Sequence, residues 1–99
     1  MALFDLLGRR WAQRVIWELR EVRQPTFRAL REMCGNPSPS VLNTRLSELR
    51  EAGIVETAEG GGYRLTEAGR ALLKALLPLH TWAEAWAARQ TRDSLSTRR

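Results

Sequence analysis

Apolar positions follow a helical period along most of this chain and break once to a short alternating pattern. Between Ser38 and Gly53, Leu42, Leu46 and Leu49 recur at helical spacing, which predicts one amphipathic helix with these leucines inward. Both ends of that helix are marked: Ser38 is a good N-cap, Pro39 fits the first helical position and Gly53 suits the residue just past the end. At about 100° per residue, Ser40, Asn43, Thr44, Ser47 and Glu51 fall on the outer side. That face is short and hydrogen-bonding near the N-terminus. A helix entering a DNA major groove needs such a face, because small side chains allow close approach while Asn and Ser both donate and accept at base edges. The same pattern also describes an ordinary capped surface helix.

The flanking segments narrow the choice. Ala2 to Leu7 is an apolar patch, with Leu3, Phe4, Leu6 and Leu7, and Gly8 interrupts it. A helix is expected from Arg9 or Trp11 to Val22, with Trp11, Val15, Leu19 and Val22 on one face and Trp17 off it. Trp17 either meets a partner subunit together with the Leu3–Leu7 patch or is wrapped by the core. Thr26 caps a short helix from Phe27 to Cys34, and Gly35-Asn36-Pro37 breaks it just before the Ser38 helix. Two helices joined by a tight Gly-containing turn form a helix-turn-helix.

After Gly53 the period changes. Ile54–Ala58 and Tyr63–Leu65 read as short strands around the turn Glu59-Gly60-Gly61-Gly62. A hairpin directly after a helix-turn-helix is the wing of a winged helix. Thr66 caps a last helix from Glu67, in which Leu72, Leu73, Leu76, Leu77 and Leu79 cover more than one face. So wide an apolar arc must be buried on two sides, one against the winged core and one against a second chain. Pro78 should kink or restart this helix, and Trp82, Ala83 and Trp86 extend its apolar stripe. Arg89–Arg99 reads as a basic, frayed tail. The expected fold is mainly α with a β-hairpin: one winged helix-turn-helix domain over residues 1–88, then a polar tail over 89–99.

Composition adds a partner class. The 99 residues are 43% hydrophobic, enough for one small core. The net charge is +5, and Lys74 is the only lysine among 16 cationic side chains. Arginine forks match phosphate oxygens, so the charge points to nucleic acid or, second, to an acidic membrane surface. Cys34 and His80 are single, which leaves no disulfide within the chain and no Cys- or His-based metal set; no cofactor is expected. Cys34 reads as a buried inert thiol, with a redox thiol paired between subunits as the minor alternative. No apolar run reaches the length of a membrane span, and Arg9-Arg10 is not followed by an uninterrupted apolar segment, so a cytoplasmic protein is expected. No nucleophile–base pair or cofactor motif nominates an enzyme.

Taken together, Leu6-Leu7-Gly8-Arg9-Arg10-Trp11, Ile16-Trp17-Glu18-Leu19, Phe27-Arg28-Ala29-Leu30-Arg31, Ser38-Pro39-Ser40-Val41-Leu42, Arg45-Leu46-Ser47-Glu48-Leu49, Ala52-Gly53-Ile54-Val55 and Tyr63-Arg64-Leu65-Thr66-Glu67-Ala68-Gly69-Arg70 resemble the HxlR-type winged-helix regulators of bacteria. The resemblance spans about residues 3 to 86. It implies a homodimeric DNA-binding transcription factor whose first and last helices make the dimer. By matching positions it nominates Ser38, Ser40, Asn43, Thr44 and Arg45 on the recognition helix, with Arg28 and Arg64 as phosphate contacts. Ser47 joins them from its place on the outer face, and Leu3, Leu6, Leu7, Trp17, Leu76, Leu79, Trp82 and Trp86 are the dimer candidates. Many family members carry a cysteine in a longer N-terminal arm; this chain has none ahead of Trp11. Its wing is short and carries Glu56 and Glu59, which repel phosphate.

The expected function is a dimeric regulator, most simply a repressor, reading two-fold-related double-stranded DNA on the bacterial nucleoid. Two alternatives stand beside it: a winged helix used only for protein contacts, and a sensor whose dimer crevice, lined by Trp17, Trp82 and Trp86, holds an unknown apolar effector.

Overall fold

The computed structural model describes residues 2–97. Five helices and one hairpin follow in the order α1 (Ala2–Leu7), α2 (Ala12–Glu18), α3 (Phe27–Met33), α4 (Pro39–Glu51), β1 (Val55–Thr57), β2 (Tyr63–Leu65) and α5 (Glu67–Thr97). This is a winged helix with a long C-terminal helix. The strands pair antiparallel, with Val55 opposite Leu65 and Thr57 opposite Tyr63.

The helix starts follow the capping residues. Thr26 Oγ1 accepts from the Ala29 N–H at 3.2 Å, Ser38 Oγ from the Val41 N–H at 3.2 Å, and Thr66 Oγ1 from the Gly69 N–H at 2.9 Å. Each bond satisfies a donor that the first helical turn leaves free. One core joins the elements: Val15 and Ile16 from α2, Leu30 from α3, Leu42, Leu46 and Leu49 from α4, and Val55 and Leu65 from the hairpin are all almost fully buried.

Gly69 fixes how α5 leaves the wing. A Cβ there would lie 2.1 Å from the backbone oxygen of Ile54. Thr66 strengthens the same junction, its hydroxyl donating to the Gly53 carbonyl at 2.5 Å and its N–H to the Ile54 carbonyl at 3.0 Å. The end of α4 and the start of α5 are therefore one hydrogen-bonded unit.

Several expectations change. Ala2–Leu7 is a helix, and Leu7 faces the core at 9% exposure, so it is not available as a dimer contact. The α2 helix stops at Glu18, and Val22, expected inward, is 85% exposed. Trp11 is the N-cap of α2 at φ 76° and not a residue of its buried face. Pro78 neither ends nor restarts α5, which runs unbroken from Glu67 to Thr97. Lys74 and Pro78 are both exposed, so water can bond the Lys74 carbonyl that Pro78 leaves without a donor. The helix also continues where a frayed tail was expected, through Ala87-Ala88-Arg89-Gln90, which are good helix formers. Arg98 and Arg99, the end of that expected tail, lie outside the described residues.

The molecule measures 56 × 26 × 25 Å, because only the first part of α5 rests on the core. Leu72, Leu73 and Leu76 pack there, whereas Leu79, Trp82 and Trp86 are 57%, 61% and 48% exposed.

Candidate nucleic-acid interface

The outer face of α4 is solvent-facing, as its pattern requires. Ser40, Asn43, Thr44 and Ser47 are exposed, while Leu42, Leu46 and Leu49 are sealed beneath them. Two hydroxyls are partly committed. Ser38 Oγ serves as the cap, and Thr44 Oγ1 donates to the Ser40 carbonyl at 2.9 Å. Thr44 therefore offers lone pairs and a methyl group outward in place of its proton. Asn43 keeps its whole amide, with two donors and an acceptor, for an outside partner.

Arg45 does not share this face. Its side chain is 16% exposed and pairs with Glu48, and its Nε donates to the Arg10 carbonyl at 2.9 Å. Glu48 also takes Arg9 at 3.3 Å. The nominated base or phosphate contact is instead a brace between α4 and the α1–α2 junction. The signal was legible in part, since Arg45 and Glu48 stand three residues apart, the spacing of a helical ion pair. What sequence could not show is that Arg10 would come within reach.

The other two nominated arginines differ from each other. Arg28, at the start of α3, is 92% exposed and only loosely paired, 3.9 Å from Glu32. Arg64, on β2, holds Glu56 across the hairpin at 2.7 Å, so its charge is partly spent within the wing. A cation that sequence reasoning passed over is Arg50. It is exposed in the last turn of α4 and lines a shallow groove with Ser47, Glu51, Glu56 and Thr57, between the helix and the wing. Its only sequence signal was its place one turn beyond the outer face.

The dimer candidates also divide. Leu6 and Leu76 pack against the chain's own core. Trp17 is half-buried, stacked on His80 with ring centroids 5.1 Å apart and 25° between planes, with the Arg20 guanidinium 4.2 Å from its ring centre. Trp17 is therefore partly covered by side chains of its own chain. Leu3, Leu79, Trp82 and Trp86 remain exposed, and the last two stack at 6.1 Å with 8° between planes.

Beside Trp17 a cleft of about 750 Å³ opens between α2 and α5, lined by Ile16, Trp17, Leu73, Leu76, Leu77 and His80, with Arg14 and Glu18 at its polar side. Of the three tryptophans expected around a dimer crevice, Trp17 lines this cleft and Trp82 and Trp86 do not.

Cys34 is buried in the core beside these groups. Burial pushes its thiol up to about 11, helped by the Glu18 carboxylate and opposed by Arg14. A thiol in that state is protonated at neutral pH and a poor nucleophile.

A capped helix with a small polar outer face, preceded by a short helix and a tight turn and followed by a wing, is the geometry of a DNA-reading regulator. The sequence profile of the HxlR-like helix-turn-helix family matches residues 6–91. The chain belongs to the HxlR family. It is 33% identical over 88 residues to the uncharacterised HTH-type transcriptional regulator YvaP of Bacillus subtilis, covering 83% of this chain and 81% of YvaP. Among solved structures it resembles the quinone-bound YodB of B. subtilis, at 33% identity and a TM-score of 0.76, over 85% of this chain and 92% of YodB. It also resembles a possible HxlR family transcriptional factor of Thermoplasma volcanium, at 25% identity and a TM-score of 0.78, over 87% of this chain and 82% of the other. As an HxlR member it is a transcriptional regulator with a DNA-binding helix-turn-helix fold, not an enzyme. Among the described residues no helix is long and apolar enough to cross a membrane.

Proposed function

We propose that this HxlR protein is a homodimeric repressor acting in the cytoplasm on two-fold-related operators. The observation that carries the reading is the exposed polar face of α4, where Ser40, Asn43, Thr44 and Ser47 face outward on a helix whose other side is locked into the core. Two copies would present these faces about 34 Å apart, one turn of DNA. The exposed Leu79, Trp82 and Trp86 supply an apolar surface suited to a second copy. Arg28 and Arg50 supply phosphate contacts that fix the register, and Asn43, Ser40 and Thr44 read bases. Protein contact alone is the weaker use of the same helix, because the family is a DNA-binding one.

The test selects bound duplexes from a random pool, then measures affinity for the selected site over a salt series with the oligomeric state determined alongside. A two-fold-symmetric site, bound by a dimer with a steep salt dependence, is the expected result. A monomer that binds no duplex at low salt rejects the reading.

One observation favours an effector in addition. The α2–α5 cleft is of ligand size and joins the helix that carries Trp17 to the helix that carries the exposed tryptophans. A relative of similar fold is a quinone-bound YodB. A flat apolar ligand in this cleft would alter the α2–α5 angle and with it the spacing of the two reading helices. Fluorescence titration with 1,4-naphthoquinone tests it: saturable quenching in the wild type that is lost in Trp17→Phe is expected. Equal quenching in both proteins rejects it.

A further inference from the structure

The reading face has a feature that hydrogen-bond donors do not explain. Beside Ser40 and Asn43 lies a shallow hollow whose remaining walls are Phe27, Pro39 and Tyr63. Three elements meet there: the first residue of α3, the first turns of α4, and β2. Phe27 and Tyr63 are half-buried and packed against the core, and the Tyr63 N–H donates to the Pro25 carbonyl at 2.9 Å. The apolar walls are therefore held in place.

The hollow is poorly suited to a phosphate. No cationic side chain lines it. Pro39 contributes no N–H, and Ser38 already takes the Val41 N–H. Two of the four donors that make a helix start attract anions are thus absent or spent. What it offers instead is the apolar faces of Phe27, Pro39 and Tyr63, with the Ser40 hydroxyl and the Asn43 amide at the edge. At a base edge, an Asn side chain pairs with adenine N6 and N7, and an apolar surface is matched by the C5-methyl of thymine.

We propose that this hollow is a methyl-reading subsite: it seats the C5-methyl of a thymine, at the base pair whose adenine Asn43 reads or at the pair next to it. Pro39, Phe27 and Tyr63 are then specificity-determining residues, and the selected half-site contains a thymine that the protein prefers over every other base for its methyl group. The inference rests on the DNA-reading function proposed above.

The experiment uses the full chain and its selected duplex. Each thymine of one half-site is replaced in turn by deoxyuridine, which keeps the pairing and every hydrogen-bonding atom and removes only the methyl. Replacement at one position is expected to weaken binding about fourfold, the effect of one buried methyl-sized group. In Pro39→Ala that penalty should fall below twofold, with circular dichroism confirming that the variant is folded. Tight binding with no deoxyuridine effect at any position, or with the same penalty in wild type and Pro39→Ala, overturns the subsite and leaves DNA reading intact. Absence of binding to any duplex overturns both.

Discussion

Nε of Arg45 donates to the backbone carbonyl of Arg10 at 2.9 Å, across 35 residues of sequence. The bond ties the middle of α4 to the junction between α1 and α2, and Glu48 completes the brace by pairing with Arg45 and Arg9. The reading helix is thereby anchored to the N-terminal helices by charged groups as well as by its leucines. Only its outer face is left exposed.

That brace separates two arginines with the same formal charge. Arg45→Ala removes a hydrogen bond to a carbonyl and leaves Glu48 half-paired, so it should lower stability by about 1–2 kcal/mol and reduce Tm. It should leave the slope of log affinity against log salt unchanged, because Arg45 is turned inward. Arg28→Ala should do the opposite, leaving Tm in place and flattening the slope by about 0.9, one phosphate's worth of released counterion. Thermal melts and a binding series over salt on both variants check the pair. A flattened slope in Arg45→Ala would place its guanidinium on DNA.

The wing pairs its arginine with its own glutamate. Glu56 holds Arg64 at 2.7 Å, and Glu59 follows at the turn. Glu56→Gln should release the Arg64 guanidinium toward the DNA backbone while removing a repelling charge. Binding at low salt should tighten by several-fold and the salt slope should steepen by about one unit per phosphate newly contacted. An unchanged affinity and slope would show that this wing stands clear of the DNA.

How much of this was legible in the sequence depends on whether the signal was local. Ser38, Thr26 and Thr66 cap helices through bonds to residues three positions on, so the helix starts could be read from spacing alone. The leucine stripe of α4 was legible for the same reason. Arg45 was legible only in its spacing from Glu48, because its other partner, Arg10, is brought close by the packing of α2 on α4. Val22 lies outside the core because α2 ends at Glu18, although the apolar period continues past it. The hollow at Asn43 was invisible for a third reason: Phe27, Pro39 and Tyr63 come from separate elements, and each alone reads as an ordinary core or capping residue.

The contact between Gly69 and Ile54 gives a stability prediction with a mechanical reading. A Cβ at position 69 would sit 2.1 Å from the Ile54 oxygen, and that atom is backbone, which cannot rotate away. Gly69→Ala should therefore destabilise the fold by about 2 kcal/mol or more, despite the better helix propensity of alanine, and lower Tm by roughly 8–16 °C. Calorimetry checks it. A rise in Tm would mean that α5 can shift away from the wing without strain.

Cys34 predicts how stability varies in alkali. Its thiol titrates near 11 in the folded chain against 9.0 for the free group, chiefly because burial disfavours the thiolate. The folded-state value is raised, so the stabilisation is complete below pH 9, where the thiol is protonated in both states. Above that the unfolded chain loses its proton first, and stability falls as pH rises from about 9 toward 11. The loss attributable to this group is on the order of 2 kcal/mol. Cys34→Ala should be less stable at pH 7 from the lost packing, yet its stability should decline less steeply between pH 9 and 11 than that of the wild type. Urea denaturation at several pH values on both proteins measures the difference. Thiol alkylation should agree, with Cys34 unreactive toward iodoacetamide at pH 7.5 until denaturant is added. Parallel pH profiles in the two proteins, or rapid labelling of the folded chain, would show that the thiol ionises as readily in the core as in water.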